Sequence, residues 1–367
     1  MAIKFLENRE ITYVFIDLLP GGGAEKQMLI QAQALIEQGY KVKFLVKKID
    51  EKHFYTYCPN GIYSKNVFRG LLSSRGKPVI SSLSQDHKYC LLFAFFNYIK
   101  WIPSEQTHPN YYFSSPSLFK KLTTIAKFIV LFFFCSFFAK ALIVQTQDAK
   151  EKWRNLFIFN RKKKIFVLAN IFSKPSIKET KQNATFKILM VGRLVYEKDY
   201  FFALASLSHL KKLCPEQDFQ ADIYGLGPEE DNLKHYTLSH DLTYNVKFKG
   251  FTKNIDEVYH SYDLYIMTSR HEGMPNALGE AMSKGLPCIV LNFLAGPKDL
   301  LGYHEVSDLS GQIVEQRDPQ KFAERIKIFM ENESIRIEKS RQNVKRIESF
   351  FGKENFCSNF ENIIKQI

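Results

Sequence analysis

Short apolar runs alternate with longer segments of helical periodicity along the whole chain of 367 residues. The runs hold few charged side chains, which is typical of parallel strands that helices cover on both faces. This alternation predicts βαβ units around two doubly wound parallel sheets, an α/β fold. The predicted strands of the first half are 11–17, 42–46, 78–83, 98–103, 141–145 and 164–168. Those of the second half are 186–191, 221–224, 246–249, 263–267, 287–291 and 312–314.

The stretch 170–184 separates the two sets of strands. It contains Ser, Lys, Pro and Asn with little periodicity, as linkers between domains do. We therefore expect one domain over residues 1–173 and another over residues 184–350, each long enough to bury its own core.

The formal net charge of +13 comes from the first half of the chain. Residues 1–180 hold 27 Lys and Arg against 12 Asp and Glu, whereas residues 181–367 hold 24 against 26. This asymmetry indicates a polyanionic partner for the first domain, either an anionic membrane surface or nucleic acid. A basic domain without such a partner is the alternative.

Twelve uncharged residues, FIVLFFFCSFFA, lie between Lys127 and Lys140. A transmembrane helix needs about 20 apolar residues, so this segment is too short to span a bilayer. It is either a core helix before the strand 141–145 or a helix in the bilayer interface, with its phenylalanines inserted and the flanking lysines near the headgroups.

Composition excludes several protein classes. Hydrophobic residues make up 45% and aromatic residues 14% of the chain, which excludes a disordered protein. The six cysteines lie far apart without a CxxC pair, so we expect buried thiols in a reducing compartment rather than a zinc site or a disulfide framework. The first residues do not resemble a signal peptide, and we expect a cytoplasmic location.

Two loops carry candidate phosphate-binding chemistry. PGGGAE at 20–25 opens a helix, and its glycines let backbone amides approach a phosphate at the helix N-terminus. GRLVYEK at 192–198 places Arg193 and Lys198 beyond the end of a parallel strand, where α/β sheets bind ligands. An arginine fork and a lysine point charge suit a diphosphate. A tight turn without a ligand and a solvated loop are the respective alternatives.

A third loop, RHEGMPNALGE at 270–280, follows another predicted strand. Gly273 and Pro275 mark a turn into a helix, so the backbone amides of this turn can face an anion. Glu272 and Glu280 place two carboxylates at opposite ends of one extended, hydroxylated ligand. Paired carboxylates also occur in glycosidases, but ligand clamping fits a phosphate-binding loop better.

The motifs together resemble the retaining, nucleotide-sugar-dependent glycosyltransferases of family 4, which have the GT-B fold. The matching segments, in the family's order, are GGGAEK, GRLVYEK, the turn YGLG at 224–227, VKFKGF, the E-x7-E pair from Glu272 to Glu280, and EAMSKGLPCIV. The resemblance implies two Rossmann-like domains facing a central cleft. It also implies an acceptor site in the first domain, a donor site in the second, and a final helix, 351–367, that packs back on the first.

The resemblance implies specific roles in the donor site. Arg193 and Lys198 would clamp the diphosphate, Glu272 would bind sugar hydroxyls, and Glu280 would bind the ribose. The other expected donor-binding residues are Gly22, Gly23, Gly225, Gly227, Phe251, Gly273, Met274, Pro275 and Asn276. In the family's mechanism the anomeric configuration is kept by front-face attack, in which the leaving phosphate helps deprotonate the acceptor hydroxyl, and neither metal nor cofactor is needed.

One residue departs from the family pattern. Close relatives usually have a glycine after the lysine of GR-x-x-x-K, whereas this chain has Asp199. The backbone after the diphosphate clamp is therefore not predicted by the resemblance.

Candidate acceptor-site residues lie in the first domain. His87 follows the predicted strand 78–83, and SEQTH at 104–108 contributes Glu105 and His108. SEQTH resembles a stretch in which some family members place polar residues facing the acceptor. The alternative for either histidine is a loop or helix-cap position.

The expected function is transfer of a sugar from a nucleotide-diphosphate sugar to a lipid-linked glycan acceptor, in the biosynthesis of bacterial surface polysaccharide or lipopolysaccharide. The expected partners are the donor, the acceptor and an anionic membrane at the inner face of the cell membrane, and not nucleic acid. A two-lobed module that binds a nucleotide sugar or nucleic acid without transferase activity is the alternative. A nucleotide-sugar 2-epimerase would lack the combination of GGGAE and GR-x-x-x-K, and a phosphorylase would need a cofactor lysine that we do not find.

Overall fold

The computed structural model describes residues 9–18, 23–82, 84–106, 118–156, 162–173, 175, 185–252, 254–292, 296–302 and 312–367. The chain divides into two compact units. Unit 1 consists of Met1–Ile171 and Lys353–Ile367, and unit 2 of Phe172–Gly352. Each unit is built on its own parallel sheet, which confirms the predicted fold class.

Unit 1 contains a seven-stranded parallel sheet of order β5-β3-β1-β6-β7-β8-β9, and a separate pair, β2 with β4. The strands are β1 (Glu10–Val14), β2 (Asp17–Leu18), β3 (Lys41–Leu45), β4 (Lys48–Ile49), β5 (Ile62–Ser64), β6 (Pro78–Ser81), β7 (Lys100–Glu105), β8 (Leu142–Val144) and β9 (Ile165–Val167). All six predicted strands of this half are present, with shifted ends. The edge strand β5 and the β2–β4 pair were not predicted.

In the described residues of unit 1, six helices connect these strands. They are α1 (Gly23–Glu37), α2 (Glu51–Tyr57), α3 (Val67–Leu72), α4 (Ser84–Phe95), α5 (Leu118–Phe138) and α6 (Gln147–Leu156). The carboxylate of Asp50 accepts a hydrogen bond from the backbone amide of His53 at the start of α2, and Asn66 caps α3 through Arg69 in the same way.

The sheet of unit 1 is covered on both faces. Because successive strand residues point to opposite faces, Tyr13 and Phe15 pack in one apolar cluster while Val14 and Ile16 pack in the other. This two-sided burial explains why the strands read as continuous apolar runs.

The Phe-rich segment lies in α5, which is partly core and partly exposed. Phe128 and Cys135 are buried, whereas Phe133 and Phe137 are each more than half exposed. The core-helix alternative therefore holds for one face of α5 only. In the described part of the chain, no helix is both long enough and apolar enough to cross a membrane.

Unit 2 contains a six-stranded parallel sheet of order β12-β11-β10-β13-β14-β15. The strands are β10 (Phe186–Val191), β11 (Phe219–Tyr224), β12 (Val246–Gly250), β13 (Leu264–Met267), β14 (Cys288–Leu291) and β15 (Ile313–Val314). The helices are α7 (Tyr200–Leu213), α8 (Glu230–Ser239), α9 (Ile255–Val258), α10 (Asn276–Ser283), α11 (Pro297–Leu301), α12 (Pro319–Glu331) and α13 (Glu333–Phe350). All six predicted strands are present, and β10 has the predicted bounds.

The last helix, α14 (Lys353–Lys365), belongs to unit 1. Phe360 and Ile363 lie in the apolar cluster that also holds residues of α1. The ring of Phe360 meets that of Tyr40 edge-on at 5.8 Å, and Lys353 forms an ion pair with Glu37. Along the chain, most of unit 1 comes first, unit 2 follows, and the last helix belongs to unit 1 again.

Candidate functional site

Four loops of unit 2 meet at the carboxyl edge of its sheet. Because β12, β11, β10 and β13 are parallel neighbours, the loops that follow them share one edge, which is where open α/β sheets bind ligands. Arg193 follows β10, Gly225 and Gly227 follow β11, Phe251 follows β12, and Glu272 follows β13. The donor-site candidates of this unit are therefore brought together by topology alone.

Gly225 and Gly227 permit two of these loops to lie backbone against backbone. The amide of Gly192 donates to the carbonyl of Tyr224 at 2.9 Å. A Cβ on Gly225 would collide with the carbonyl oxygen of Gly192, and one on Gly227 would collide with the backbone of Leu194. Loop packing thus accounts for both glycines, and their contact with a donor stays a prediction.

Lys198 and Glu272, two of the predicted catalytic residues, form a direct ion pair. Lys198 ends a 3-10 turn, Tyr196–Lys198, and its Nζ donates to Oε1 of Glu272. The hydroxyl of Ser269 donates to the same oxygen at 2.9 Å. The lysine side chain is 23% exposed and that of the glutamate 16%, so both can still reach a ligand. Arg193, the third predicted catalytic residue, is exposed on the same loop as Lys198.

Asp199 connects the loop that carries Lys198 to the loop that carries Glu272. It adopts φ 48° and ψ 53°, the left-handed conformation that glycine favours. The backbone is therefore one that the glycine expected from the resemblance would also adopt. Its buried carboxylate pairs with Arg270, at 2.8 Å from Nη2, and with Arg317. The amide of Arg270 also donates to the carbonyl of Glu197 at 2.8 Å. The diphosphate-clamp loop and the Glu272 loop are therefore joined.

Sequence reasoning missed the partners of Asp199. Arg270 lies within the quoted motif at 270–280, but Arg317 is 118 positions from Asp199. The departure from glycine was the available signal, because aspartate and asparagine are among the few residues that tolerate the left-handed region.

Glu280 lies on α10, which begins at Asn276. The hydroxyl of buried Tyr259 donates to Oε2 of Glu280 at 3.1 Å and lies 3.3 Å from the carbonyl oxygen of Ala277. Burial, with the charge of Glu280 adding to it, raises the pKa of Tyr259 well above its usual value, so the phenol remains a donor. Tyr259 was not predicted as part of the site.

The loop before α10 is held tightly. Met274 and Pro275 are buried, and a Cβ on Gly296 would collide with the carbonyl oxygen of Gly273. The N-terminal end of α10 carries the partial positive charge of the helix dipole, which suits a phosphate or a sugar oxygen near Asn276.

Two exposed apolar side chains stand at neighbouring strand ends. Phe251 is 62% exposed after β12, and Leu226 is 56% exposed after β11. A Cβ on Gly250 would lie 3.9 Å from Leu226, so these positions form one small apolar surface. Such a surface suits a nucleobase, and Leu226 was not among the predicted residues.

In unit 1, His87 and Glu105 meet in a buried hydrogen-bonded chain. His87 Nε2 lies 2.8 Å from Glu105 Oε1, and Nδ1 lies 2.7 Å from the hydroxyl of Ser81, which also accepts from Trp101 Nε1 at 2.8 Å. His87 is 1% and Glu105 4% exposed. Direct contact of His87 with an acceptor would require one of these hydrogen bonds to break, so the geometry favours His87 as the residue that holds Glu105.

A second polar network, which was not predicted, lies beside it. Gln145 donates to Gln106 and to Oδ1 of Asn170 at 2.8 Å, and Gln31 donates to the same Oδ1 at 3.1 Å. Of the remaining predicted residues, Gly23 begins α1 and is exposed. Gly22 and His108 lie outside the described residues.

No cluster of three His, Cys, Asp or Glu side chains suited to a metal ion occurs among the described residues. Arg193 and Lys198 are the side chains predicted to meet a diphosphate. Independence from metal stays a prediction.

Comparison with known proteins agrees with this geometry. Residues 172–348 match the family of glycosyl transferases, group 1. A Haemophilus influenzae protein named an uncharacterized glycosyltransferase is 24% identical over 90% of this chain and 93% of its own length. The amylovoran biosynthesis glycosyltransferase AmsD of Erwinia amylovora is 28% identical over 55% of this chain and 56% of its own length, so the chain spans little more than half of that relative.

Among solved structures, Anabaena Alr3699/HepE in complex with UDP and glucose is similar in fold. It superposes with a TM-score of 0.76 at 16% identity, over 98% of this chain and 100% of that one. Residues 172–348, nearly all of unit 2, therefore match the group 1 glycosyl transferases, and the chain has the GT-B fold.

Proposed function

We propose that this protein is a retaining, metal-independent glycosyltransferase of family 4 that moves a sugar from a nucleoside-diphosphate sugar to a lipid-linked glycan. The observation that carries the proposal is the ion pair between Lys198 and Glu272 at the carboxyl edge of unit 2, beside exposed Arg193. One cation and one carboxylate held together are suited to the two ends of a sugar diphosphate: phosphate oxygens and sugar hydroxyls.

Each group then has a distinct task. Arg193 and Lys198 bind the diphosphate, and the N-terminal end of α10 supports the same negative charge. Glu272 accepts hydrogen bonds from sugar hydroxyls, and Glu280, oriented by Tyr259, accepts from the ribose. The apolar surface of Leu226 and Phe251 takes the base.

In the reaction, charge develops on the departing diphosphate. Lys198 exchanges its carboxylate partner for a phosphate oxygen and so stabilises that charge without a metal ion. The departing phosphate accepts the proton of the acceptor hydroxyl on the same face of the sugar, so the anomeric configuration is retained. Positioned cations of this kind contribute about 100- to 1,000-fold in rate each.

The basic first half and the exposed face of α5 support a lipid-linked acceptor and peripheral attachment at the inner face of the membrane. The name of the Erwinia relative, amylovoran biosynthesis glycosyltransferase, supports a place in surface polysaccharide or lipopolysaccharide biosynthesis.

A thermal-shift panel with UDP, GDP, ADP, CMP and dTDP tests the donor site. A ligand that binds only the folded protein raises stability by RT ln(1 + [L]/Kd), about 2.7 kcal/mol at 100 times Kd. We expect a shift with one nucleotide, and UDP is the first candidate because HepE was solved with it. Folded protein that shifts with none of them contradicts the proposal.

The stereochemistry and metal requirement are tested with the donor so identified. The anomeric proton coupling in the product reports whether configuration is retained, and turnover with excess EDTA reports metal dependence. We expect retention and unchanged turnover. An inverted product, or activity lost to EDTA and restored by Mg²⁺, would overturn the corresponding part.

Membrane attachment and the binding-module alternatives have separate tests. We expect the protein to sediment with anionic vesicles at low salt, and protein that stays in the supernatant contradicts a membrane-bound acceptor. A gel shift with nucleic acid at physiological salt would instead favour a nucleic-acid-binding module. Nucleotide-sugar binding without hydrolysis or transfer to any acceptor would favour a binding module.

A further inference from the structure

An open groove of about 620 Å³ lies on unit 1 and is lined by none of the residues assigned above. Lys47 follows β3 and Lys65 follows β5, so the groove opens at the carboxyl edge of the unit 1 sheet. Its other lining residues are Asn66, Val67, Phe68, Leu71, Tyr89 and Phe93. No carboxylate is among the lining residues.

Three lysines lie in or beside this groove. Lys47 Nζ lies 4.7 Å from the ring centre of Tyr89 and donates to its hydroxyl at 3.1 Å. Lys88 Nζ lies 5.2 Å from the same ring, and Lys65 lines the groove. All three lysines are exposed, and within the described residues no ion pair joins any of them to a carboxylate. The groove therefore carries positive charge that is free to meet an anion.

Most of the remaining lining of the groove is apolar. Phe68 is 60% exposed, and its ring packs 5.5 Å from that of Phe93. Tyr89, Leu92, Phe93 and Phe96 recur at helical spacing, so they form one stripe about 10 Å long, at 1.5 Å per residue, along and just beyond α4.

This stripe continues onto an exposed apolar surface, which we call the aromatic face. Rings of Phe95 and Phe138 lie 5.2 Å apart and join α4 to α5. The aromatic face consists of Leu92, Phe95, Phe96, Ile129, Val130, Phe133 and Phe137, each at least 54% exposed except Phe133 at 53%. Exposed apolar surface of this kind marks contact with an apolar partner.

We infer that the groove binds a lipid phosphate, with the phosphate between Lys47, Lys65 and Lys88 and the hydrocarbon chain along the α4 stripe toward the aromatic face. The inference rests on the proposed function, because the lipid carrier of a glycan acceptor is the source of such a ligand. Lysines without a lining carboxylate, combined with an apolar stripe, fit an amphiphile of this polarity, whereas a free glycan would leave the stripe uncovered. Lysines act as point charges for a phosphate, which needs no planar fork.

Calorimetric titration of the full chain with farnesyl phosphate below its critical micelle concentration tests the inference. Farnesol and inorganic phosphate are the two matched ligands, one without the charge and one without the chain. We expect farnesyl phosphate to bind at least about tenfold more tightly than either. Equal affinity for farnesol overturns the role of the lysines, and equal affinity for inorganic phosphate overturns the role of the stripe.

Two variants locate the binding. Lys47→Ala with Lys65→Ala should weaken farnesyl phosphate at least about tenfold, whereas Lys212→Ala with Lys247→Ala in unit 2 changes net charge equally and should not. Phe68→Ser should weaken the binding of farnesyl phosphate severalfold, whereas Leu238→Ser, at a 68% exposed position of unit 2, should not. Groove variants that bind like the wild type overturn the site.

The nucleotide-induced thermal shift, measured on the same samples, confirms that the variants are folded and separates the two proposals. If the protein binds nucleotide but binds farnesyl phosphate no more tightly than farnesol or inorganic phosphate, only the groove proposal is overturned. Discrimination for farnesyl phosphate without any nucleotide binding supports the groove and overturns the donor site.

Discussion

The carboxylate of Asp199 lies 2.8 Å from Nη2 of Arg270 and thereby joins the loop after β10 to the loop after β13. Asp199 directly follows Lys198, and Arg270 stands two residues before Glu272, so the two ion pairs join the same two loops. Arg270 also lies over the ring of Tyr196, 4.4 Å from its centre. The two loops that carry the predicted catalytic groups are therefore positioned as one piece.

Substitution at Asp199 should separate its backbone role from its charge. We expect stability in the order aspartate, glycine, alanine. Asp199→Gly keeps the left-handed backbone but loses two ion pairs, whose guanidinium groups are about one-third exposed, at a cost of about 1–2 kcal/mol. Asp199→Ala adds about 1 kcal/mol of backbone strain. Urea unfolding measures both.

Asp241 supplies the matched control for Asp199. It also has a left-handed backbone, at φ 54°, but its side chain is 83% exposed and pairs with Lys211 on the surface. The difference between the glycine and alanine variants should be similar at both positions, whereas the loss from aspartate to glycine should be large only at Asp199. Equal losses at both would contradict the buried ionic role.

The six cysteines should be unreactive in the native protein. All are free and buried, and burial raises the pKa of the Cys58 thiol to about 12, with upward shifts at the other five. A pKa of 12 leaves about one thiolate in 10⁴ at pH 8, and the thiolate is the nucleophile. Ellman's reagent at pH 8 should therefore titrate six thiols only after unfolding in guanidinium. Rapid reaction of any thiol in the folded chain would show an exposed, activated cysteine.

The fold class could be predicted from the sequence because parallel strands buried on both faces produce continuous apolar runs. β10 has the predicted bounds for this reason. β5 was missed because it is a three-residue edge strand whose first residue, Ile62, is exposed, so it lacks the buried pattern. The predicted strand 11–17 runs past β1 because buried apolar residues continue beyond the last paired residue, as Phe15 does.

The sequence predicts which loops form the candidate site, but not the contacts between their side chains. Local motifs place Lys198 and Glu272 after two strands, but the contact between them depends on β10 and β13 being neighbours in the sheet. Arg317 and Tyr259 reach the site from elements that carry no phosphate-binding motif, so no local pattern marks them. Their roles required the structure.

Removal of Lys198 should affect chemistry more than binding. Lys198→Ala should lower kcat about 100-fold or more, because its charge acts on the departing diphosphate, while the Kd of the nucleotide rises less than about tenfold. Lys211→Ala is the control, since it removes a lysine from an exposed ion pair of the same unit and should leave kcat unchanged. Steady-state kinetics and nucleotide titration measure the two effects. Unchanged kcat in Lys198→Ala would remove this residue from the mechanism.

Glu280 should determine the affinity for the free nucleotide. Glu280→Ala should weaken nucleoside-diphosphate binding about 10- to 100-fold, because a charged acceptor of ribose hydroxyls is lost before any chemistry. Tyr259→Phe removes the 3.1 Å hydrogen bond to the carboxylate and the 3.3 Å contact with the carbonyl of Ala277, but keeps the charge of Glu280, and should cost less than about tenfold.

A nucleotide that lacks the 2′ and 3′ hydroxyls completes the test of Glu280. If the carboxylate binds the ribose, wild type and Glu280→Ala should bind the dideoxy diphosphate equally, because the partner of the carboxylate is already absent. A full loss of affinity with the dideoxy compound would mean that Glu280 acts through the fold of α10 instead. Equal unfolding midpoints for Glu280→Ala and wild type without nucleotide would exclude that explanation independently.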